Sequence, residues 1–212
     1  MYWSVANGYH GGMARPRKFD EAEVVEASRD LFWDQGYAAT SIDDLSAATG
    51  LGRGSFYKAF GDKHSMFLRG LESYCTESVD RLRAELRNPD ISAYDRLVGH
   101  VRGIAAVTAS DTDRRGCLLA KSAAELSATD PEVAKQVKRT LDVWLRELMS
   151  VIIAAQADGD IPPDTDAKAM ASLLLAVLRG IEALRKGGAS AATVKSAADQ
   201  AIALLGASPA TA

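Results

Sequence analysis

Apolar residues return every three or four positions along most of this chain, the period of a helix buried on one side. Val24, Ala27, Leu31 and Phe32 form the first such stripe. Asp20, with Glu23 three residues on, reads as a capping box that starts this helix, and Gly36 stops it after Gln35. A second, short segment is capped by Ser41, turns Ile42, Leu45 and Ala48 inward and ends at Gly50, after which Leu51 re-enters the core. Phe56 and Phe60, four apart, set the buried side of a third. Asp62 then opens a long helix that carries Phe67, Leu71, Tyr74 and Val79 to about Arg87, where Asn88-Pro89 breaks it. Five further helices are expected over about 92–109, 116–127, 130–157, 165–186 and 190–205, separated by polar or Gly/Pro-rich stops such as Asp158-Gly-Asp-Ile-Pro-Pro and Gly187-Gly188. No segment alternates at strand period. The expected fold class is all-α, with about nine helices.

The second and third segments define what the rest serves. Two short helices around a tight glycine-containing turn make a helix-turn-helix, whose second helix lies in the DNA major groove. With Phe56 and Phe60 committed inward, Arg53, Ser55, Tyr57 and Lys58 are left for the opposite face. Arg15, Arg17 and Lys18 form a short basic arm ahead of the first helix, placed to enter a minor groove or lie along phosphates. Phe19, Phe32, Trp33 and Tyr37 are expected to pack core and hinge. Single-strand binders display such rings on exposed strands, and no strand is expected here.

Composition narrows the setting. At 212 residues and 47% hydrophobic, the chain can bury a sizeable core. A net charge of -3 argues against a protein coated in positive charge, so nucleic acid must meet a local patch. Residues 13–63 carry seven Lys/Arg against nine Asp/Glu, but eight of those acids lie in the first helix and the start of the second, which can face away from a duplex. Cys75 and Cys117 lie far apart without CxxC or Cys/His spacing, so neither a zinc site nor a disulfide framework is expected. No phosphate loop or metal set appears, and no cofactor is expected. The longest apolar run, 170–178, stops at Arg179, well short of a membrane span, and the start of the chain lacks a charged region followed by an apolar block. A cytoplasmic protein without membrane contact is the expectation.

The stretch from about Phe19 to Phe67, and above all DLFWDQGYAATSIDDLSAATGLGRGSFYKAFGDKHSMF over residues 30–67, resembles the DNA-binding domain of the tetracycline-repressor (TetR) family of bacterial transcription regulators. The match covers the end of the family's first helix, its Thr-Ser second helix, its Gly-x-x-x-Gly-x-[LF]-Tyr-x-x-Phe recognition helix and the lysine that opens the fourth. The resemblance implies phosphate contacts from Thr40, Ser41, Tyr57 and Lys63, and a close backbone approach at Gly54. Base reading falls to Arg53, Ser55 and Lys58, since Arg and Lys address guanine O6 and N7 and serine can take either partner. Ala59 stands where the family often has histidine, which removes one phosphate contact and permits a thymine-methyl contact instead.

The same resemblance divides the chain into a disordered extension over 1–13, a DNA-binding domain over 14–66 and an effector-binding and dimerisation domain over 67–212, with Met13 an alternative start. The long fourth helix becomes a lever between head and body. Two apolar stripes near the C-terminus, including Leu174, Val177, Leu178 and Ile181 in one and Val194, Ala201 and Ile202 in the other, are expected to form a four-helix interface in a homodimer. Such a dimer would read a roughly palindromic double-stranded operator. Tyr74, His100, Ile104, Cys117, Trp144 and Leu148 are expected around the cavity of an unknown small-molecule effector, with core packing the alternative for each. The function implied is a dimeric repressor released from its operator by that effector. Two other readings are a helical enzyme using Cys117 and His100 as nucleophile and base, and an interaction module without DNA. The first lacks an orienting group and the second leaves the head unexplained.

Overall fold

A computed structural model describes residues 19–206; the arm residues Arg15, Arg17 and Lys18 lie outside them. Among the described residues the chain forms α1 (Glu21–Gln35), α2 (Ile42–Thr49), α3 (Arg53–Phe60), α4 (Lys63–Leu86), α5 (Ala93–Ser110), α6 (Leu118–Leu126), α7 (Pro131–Asp158), α8 (Ala167–Lys186) and α9 (Ala191–Ala203), closed by a 3-10 turn over Leu204–Gly206, with no strand. The expected all-α architecture is therefore found.

The caps explain most of the boundaries. Asp20, Ser41, Asp62, Ser92, Asp130, Asp166 and Ser190 each accept hydrogen bonds from first-turn backbone N–H groups of the helix they precede. Ser41 and Asp44 complete a reciprocal capping box, and Gly50 ends α2 at φ 69°. The sequence places the box in α1 instead. There Asp20 accepts from Ala22 while α2 carries the full motif. Two starts also shift: α6 begins at Leu118 after Cys117, which makes no side-chain cap, and α8 begins after Asp166.

The head is α1 to α3 packed on the beginning of α4. Leu45, Phe56, Met66 and Phe32 are essentially fully buried, and Phe32 meets Phe67 edge-on at 5.1 Å while Phe60 lies between Phe56 (5.6 Å) and Phe19 (5.9 Å). The expected aromatic core is thus present. Ala48, expected inward, is exposed: with eight residues α2 makes two turns, and buried Leu45 with half-buried Ile42 supplies its core face. α4 runs 24 residues, about 36 Å at the helical rise, from the head into the body. It crosses α1 closely at Gly70, where an added Cβ would sit 3.2 Å from Arg29 Cα.

In the body, α5 packs on α9, α7 on α8 and α4, and α8 on α9. This packing corrects the expected dimer contacts. Leu174, Leu178, Ile181, Val194, Ala201 and Ile202 lie between 0% and 9% exposed, inside the subunit's own core. Both stripes turn inward because α8 and α9 must cover α5 and α7. Val177 is half-buried, and the apolar residues left outside on neighbouring faces are Leu173, Leu184 and Ile153, at 40%, 49% and 50%.

One buried acid ties the lever to the body. Glu147 of α7 accepts from Arg83 Nε at 3.1 Å and from Arg87 Nε at 2.9 Å. Burial pushes this carboxyl up, but the hydrogen bonds from Arg87 and Arg83 outweigh burial and hold it below its ordinary value of 4.5. A lowered folded-state value means stability that is complete above the ordinary value and is lost as pH falls through the folded one. Glu147→Gln should therefore be less stable than the parent near neutrality, and the difference in Tm should shrink as pH falls below the ordinary value of 4.5 and through the lowered one. Thermal scans across that range check it, and a Tm difference independent of pH would count against the assignment.

Candidate nucleic-acid interface and ligand cavity

The buried rings of Phe56 and Phe60 fix which way α3 faces. Arg53, Gly54, Ser55, Tyr57 and Lys58 are all exposed on the other side, and Tyr57 keeps half its surface in solvent while standing perpendicular to Phe56 at 6.3 Å. The structure thus brings together the five expected residues of the third helix. At Gly54 an added Cβ would meet nothing within 4 Å, so the backbone lies open to an approaching surface. Ala59 is half-buried against the core.

Two residues expected at phosphates have partners within the head. Thr40 is 1% exposed and its hydroxyl donates to Gly36 O at 2.7 Å; it braces the loop before α2 and has no hydroxyl proton left to offer. Lys63 is half-buried, its ammonium over the Tyr37 ring at 4.2 Å and donating to Tyr37 O at 2.9 Å and Thr40 O at 3.0 Å. The cation at the start of α4, which opposes the helix dipole, is explained by these two carbonyls. Ser41 remains exposed, with its hydroxyl shared in the Asp44 cap.

Arg53 is also engaged. Its Nε and Nη2 both donate to the carboxylate of Asp43 on α2. Hydrogen bonding to Arg53 holds Asp43 below the usual carboxylate range and raises Arg53 in turn. Asp43, expected among the acids that face away from a duplex, is instead bound to the DNA-facing helix; the ten-residue spacing across the turn is the signal that joins it to Arg53.

The body encloses a cavity of about 510 Å³, and Tyr74, His100, Ile104, Trp144 and Leu148 all line it. Cys117 stands just behind the wall, 5% exposed, accepting from Arg179 Nη1 at 3.1 Å and from the Tyr74 hydroxyl at 3.5 Å. Arg179 lies over the Trp144 ring at 4.5 Å and pairs with Glu182 at 2.9 Å. Burial pulls Arg179 down, but Cys117 and Glu182 more than offset it; burial raises Glu182 and the Tyr74 hydroxyl. Arg179 and Glu182 were missed as site residues, though a charge ending the apolar run 170–178 was the available sign. Both cysteines are free, and burial pushes the Cys75 thiol up to about 11.

Cavity and head are joined by α6 as well as α4. Trp33, which lines the cavity, donates from Nε1 to Gly116 O at 3.0 Å. Lys121 donates to the last carbonyls of α1, Trp33 O at 2.9 Å and Asp34 O at 3.1 Å. Glu125 accepts from the backbone N–H groups of Tyr37 and Ala38, at 3.1 and 2.7 Å.

A helix-turn-helix head on a helical body with an internal cavity is the build of a ligand-responsive DNA-binding regulator. Comparison with known proteins gives the family. Residues 24–69 match the model of bacterial regulatory proteins of the tetR family, and residues 93–201 match the tetracyclin repressor-like C-terminal domain. The chain belongs to the TetR family and is a DNA-binding transcriptional regulator. Among its relatives, the HTH-type transcriptional repressor ComR of Escherichia coli K12 is 29% identical over 176 residues, covering 83% of this chain and 84% of ComR. The repressor DhaR of Mycobacterium sp. strain GP1 is 25% identical, covering 74% of this chain and 77% of DhaR. A solved structure of a cysteine mutant of the TetR-family regulator CifR with 26-base-pair operator DNA superposes with a TM-score of 0.77 at 27% identity, covering 91% of this chain and all of that one.

Proposed function

We propose that the protein is a dimeric repressor that binds a two-fold-related operator in the cytoplasm and is released by a small, uncharged, aromatic effector. The observation that carries the DNA reading is the exposed row of Arg53, Ser55, Tyr57 and Lys58, held outward by buried Phe56 and Phe60. In this reading Arg53, Ser55 and Lys58 address base edges, Tyr57 meets a phosphate, exposed Ser41 reaches one by turning its hydroxyl from the Asp44 carboxylate, Gly54 admits the DNA backbone, and the arm residues Arg15, Arg17 and Lys18 extend the contact. The repressor reading is supported by the names of ComR and DhaR, and by CifR having been crystallised on operator DNA.

Leu173, Val177, Gly180 and Leu184 recur along one side of α8 at four-, three- and four-residue steps. This side forms the two-fold contact in place of the buried positions, so that two α3 helices reach successive major grooves. For the effector, wall chemistry narrows the class. The cavity has three aromatic residues, Trp33, Tyr74 and Trp144, and its more deeply buried ionic groups are paired, Arg29 with Glu77 at 2.7 Å, His100 with Glu85 at 2.6 Å and Arg179 with Glu182, while exposed Arg81 and half-buried Asp111 also line it. A charged ligand seated among the buried groups would have to break one of these pairs, whereas a neutral ring system with hydrogen-bonding groups would not. Occupancy reaches the head through α4 and through the α6 contacts to α1.

Footprinting on DNA flanking the protein's own gene tests the proposal. A protected segment with two-fold symmetry is expected, with affinity lowered at least tenfold by Lys58→Ala. Absence of any retarded duplex at low salt would sink it. Screening the complex with matched neutral and anionic aromatic compounds, benzamide against benzoate scaffolds, tests the effector class. Release by the anionic members alone would overturn that part.

A further inference from the structure

The Arg53–Asp43 pair joins α2 to α3 at the surface. Both side chains are more than 60% exposed, so the pair adds little to stability. It nonetheless occupies the first residue of the DNA-facing α3, where base contacts in a helix-turn-helix concentrate. We propose that Asp43 is a positioning and specificity-determining residue that holds Arg53 extended for guanine and cancels its charge on every other sequence.

The edge of the guanidinium that Asp43 occupies decides what Arg53 can still reach. Asp43 takes the Nε and Nη2 edge. A guanidinium has a second fork, made by Nη1 and the remaining proton of Nη2, and that fork matches guanine O6 and N7. The carboxylate therefore does not compete for the base-reading edge, and it removes the side-chain freedom that a lone surface arginine would lose on binding. On a sequence without guanine at that position the same carboxylate acts in reverse. Arg53 is already neutralised, and Asp43 brings a negative charge toward the phosphates, so non-specific attachment is weakened. Hydrogen bonding from Arg53 keeps Asp43 ionised through the physiological range, so the pair is maintained.

This inference rests on Arg53 reading a base, and the experiment separates the two. The parent, Arg53→Ala, Asp43→Ala and Asp43→Asn proteins are each used to select binders from a random duplex library, then titrated with the parent's preferred site, the same site carrying 7-deazaguanine, and an unrelated duplex of equal length. Circular dichroism confirms folding. The parent should prefer guanine at one position per half-site at least tenfold. Arg53→Ala should abolish that preference. Both Asp43 variants should reduce it to about threefold or less at that position only, become insensitive to 7-deazaguanine there, and bind the unrelated duplex more tightly, with a salt slope steeper by about one. If Arg53→Ala changes the selected sequence and the Asp43 variants do not, or if the latter relax every position alike, the positioning role is wrong. If Arg53→Ala leaves all preferences intact, base reading by Arg53 is wrong, and the inference falls with it.

Discussion

Phe56→Ala should abolish DNA binding at any concentration that saturates the parent, while most of the body stays folded. Truncating a fully buried phenylalanine costs about 3–5 kcal/mol, and here the loss falls on three short helices that share a small aromatic core. Small units bury a smaller fraction of their surface and have little stability to spare. The ring touches Phe60 and stands under Tyr57, so its removal also frees the face that presents Arg53 and Lys58. Calorimetry should show a lost or lowered head transition beside a body transition moved by only a few degrees. Affinity within twofold of the parent would mean that α3 is held by something other than this core.

Gly70→Leu is expected to have the second largest effect, through geometry. The first atom added at Gly70 already lies 3.2 Å from both Cα and Cβ of Arg29, and the branched remainder has to go between α1 and α4. Overpacking of this kind costs about 1–3 kcal/mol. It also pushes α1 off α4 at the level where the buried Arg29 guanidinium donates to Glu77 at 2.7 Å. The head is then tilted on its lever, and operator affinity should fall by more than tenfold with the helical content retained. Gly70→Ala is the informative partner: about 1 kcal/mol of helix propensity works in its favour, so it should be near neutral in stability. A leucine variant with unchanged Tm and affinity would show that the crossing adapts freely.

The sequence disclosed the parts whose cause is local. Caps such as Ser41 and Asp130, the left-handed stop at Gly50 and the paired phenylalanines of α3 follow from neighbours within a few positions, and the structure has them. What escaped was whatever depends on where helices meet. An apolar stripe does not say which partner covers it, which is why Leu174 and Val194 were assigned to a second subunit although their own subunit buries them. Likewise, nothing in the spacing shows that the lysine at the start of α4 gives two of its three N–H donors to carbonyls of a loop 23 and 26 residues away. Five cavity residues were legible because the family layout supplies their neighbours. The meetings of Arg179 with Cys117 and of Asp43 with Arg53 run between elements, where no periodicity marks them.

The link through Lys121 and Glu125 bears on what can be transplanted between relatives. The final carbonyls of α1 and the amides that follow it are satisfied by side chains 87 or 88 residues further along. The module that could be moved intact is therefore discontinuous: a graft of the reading head would have to carry along the short segment over 116–125 or supply equivalents on the recipient.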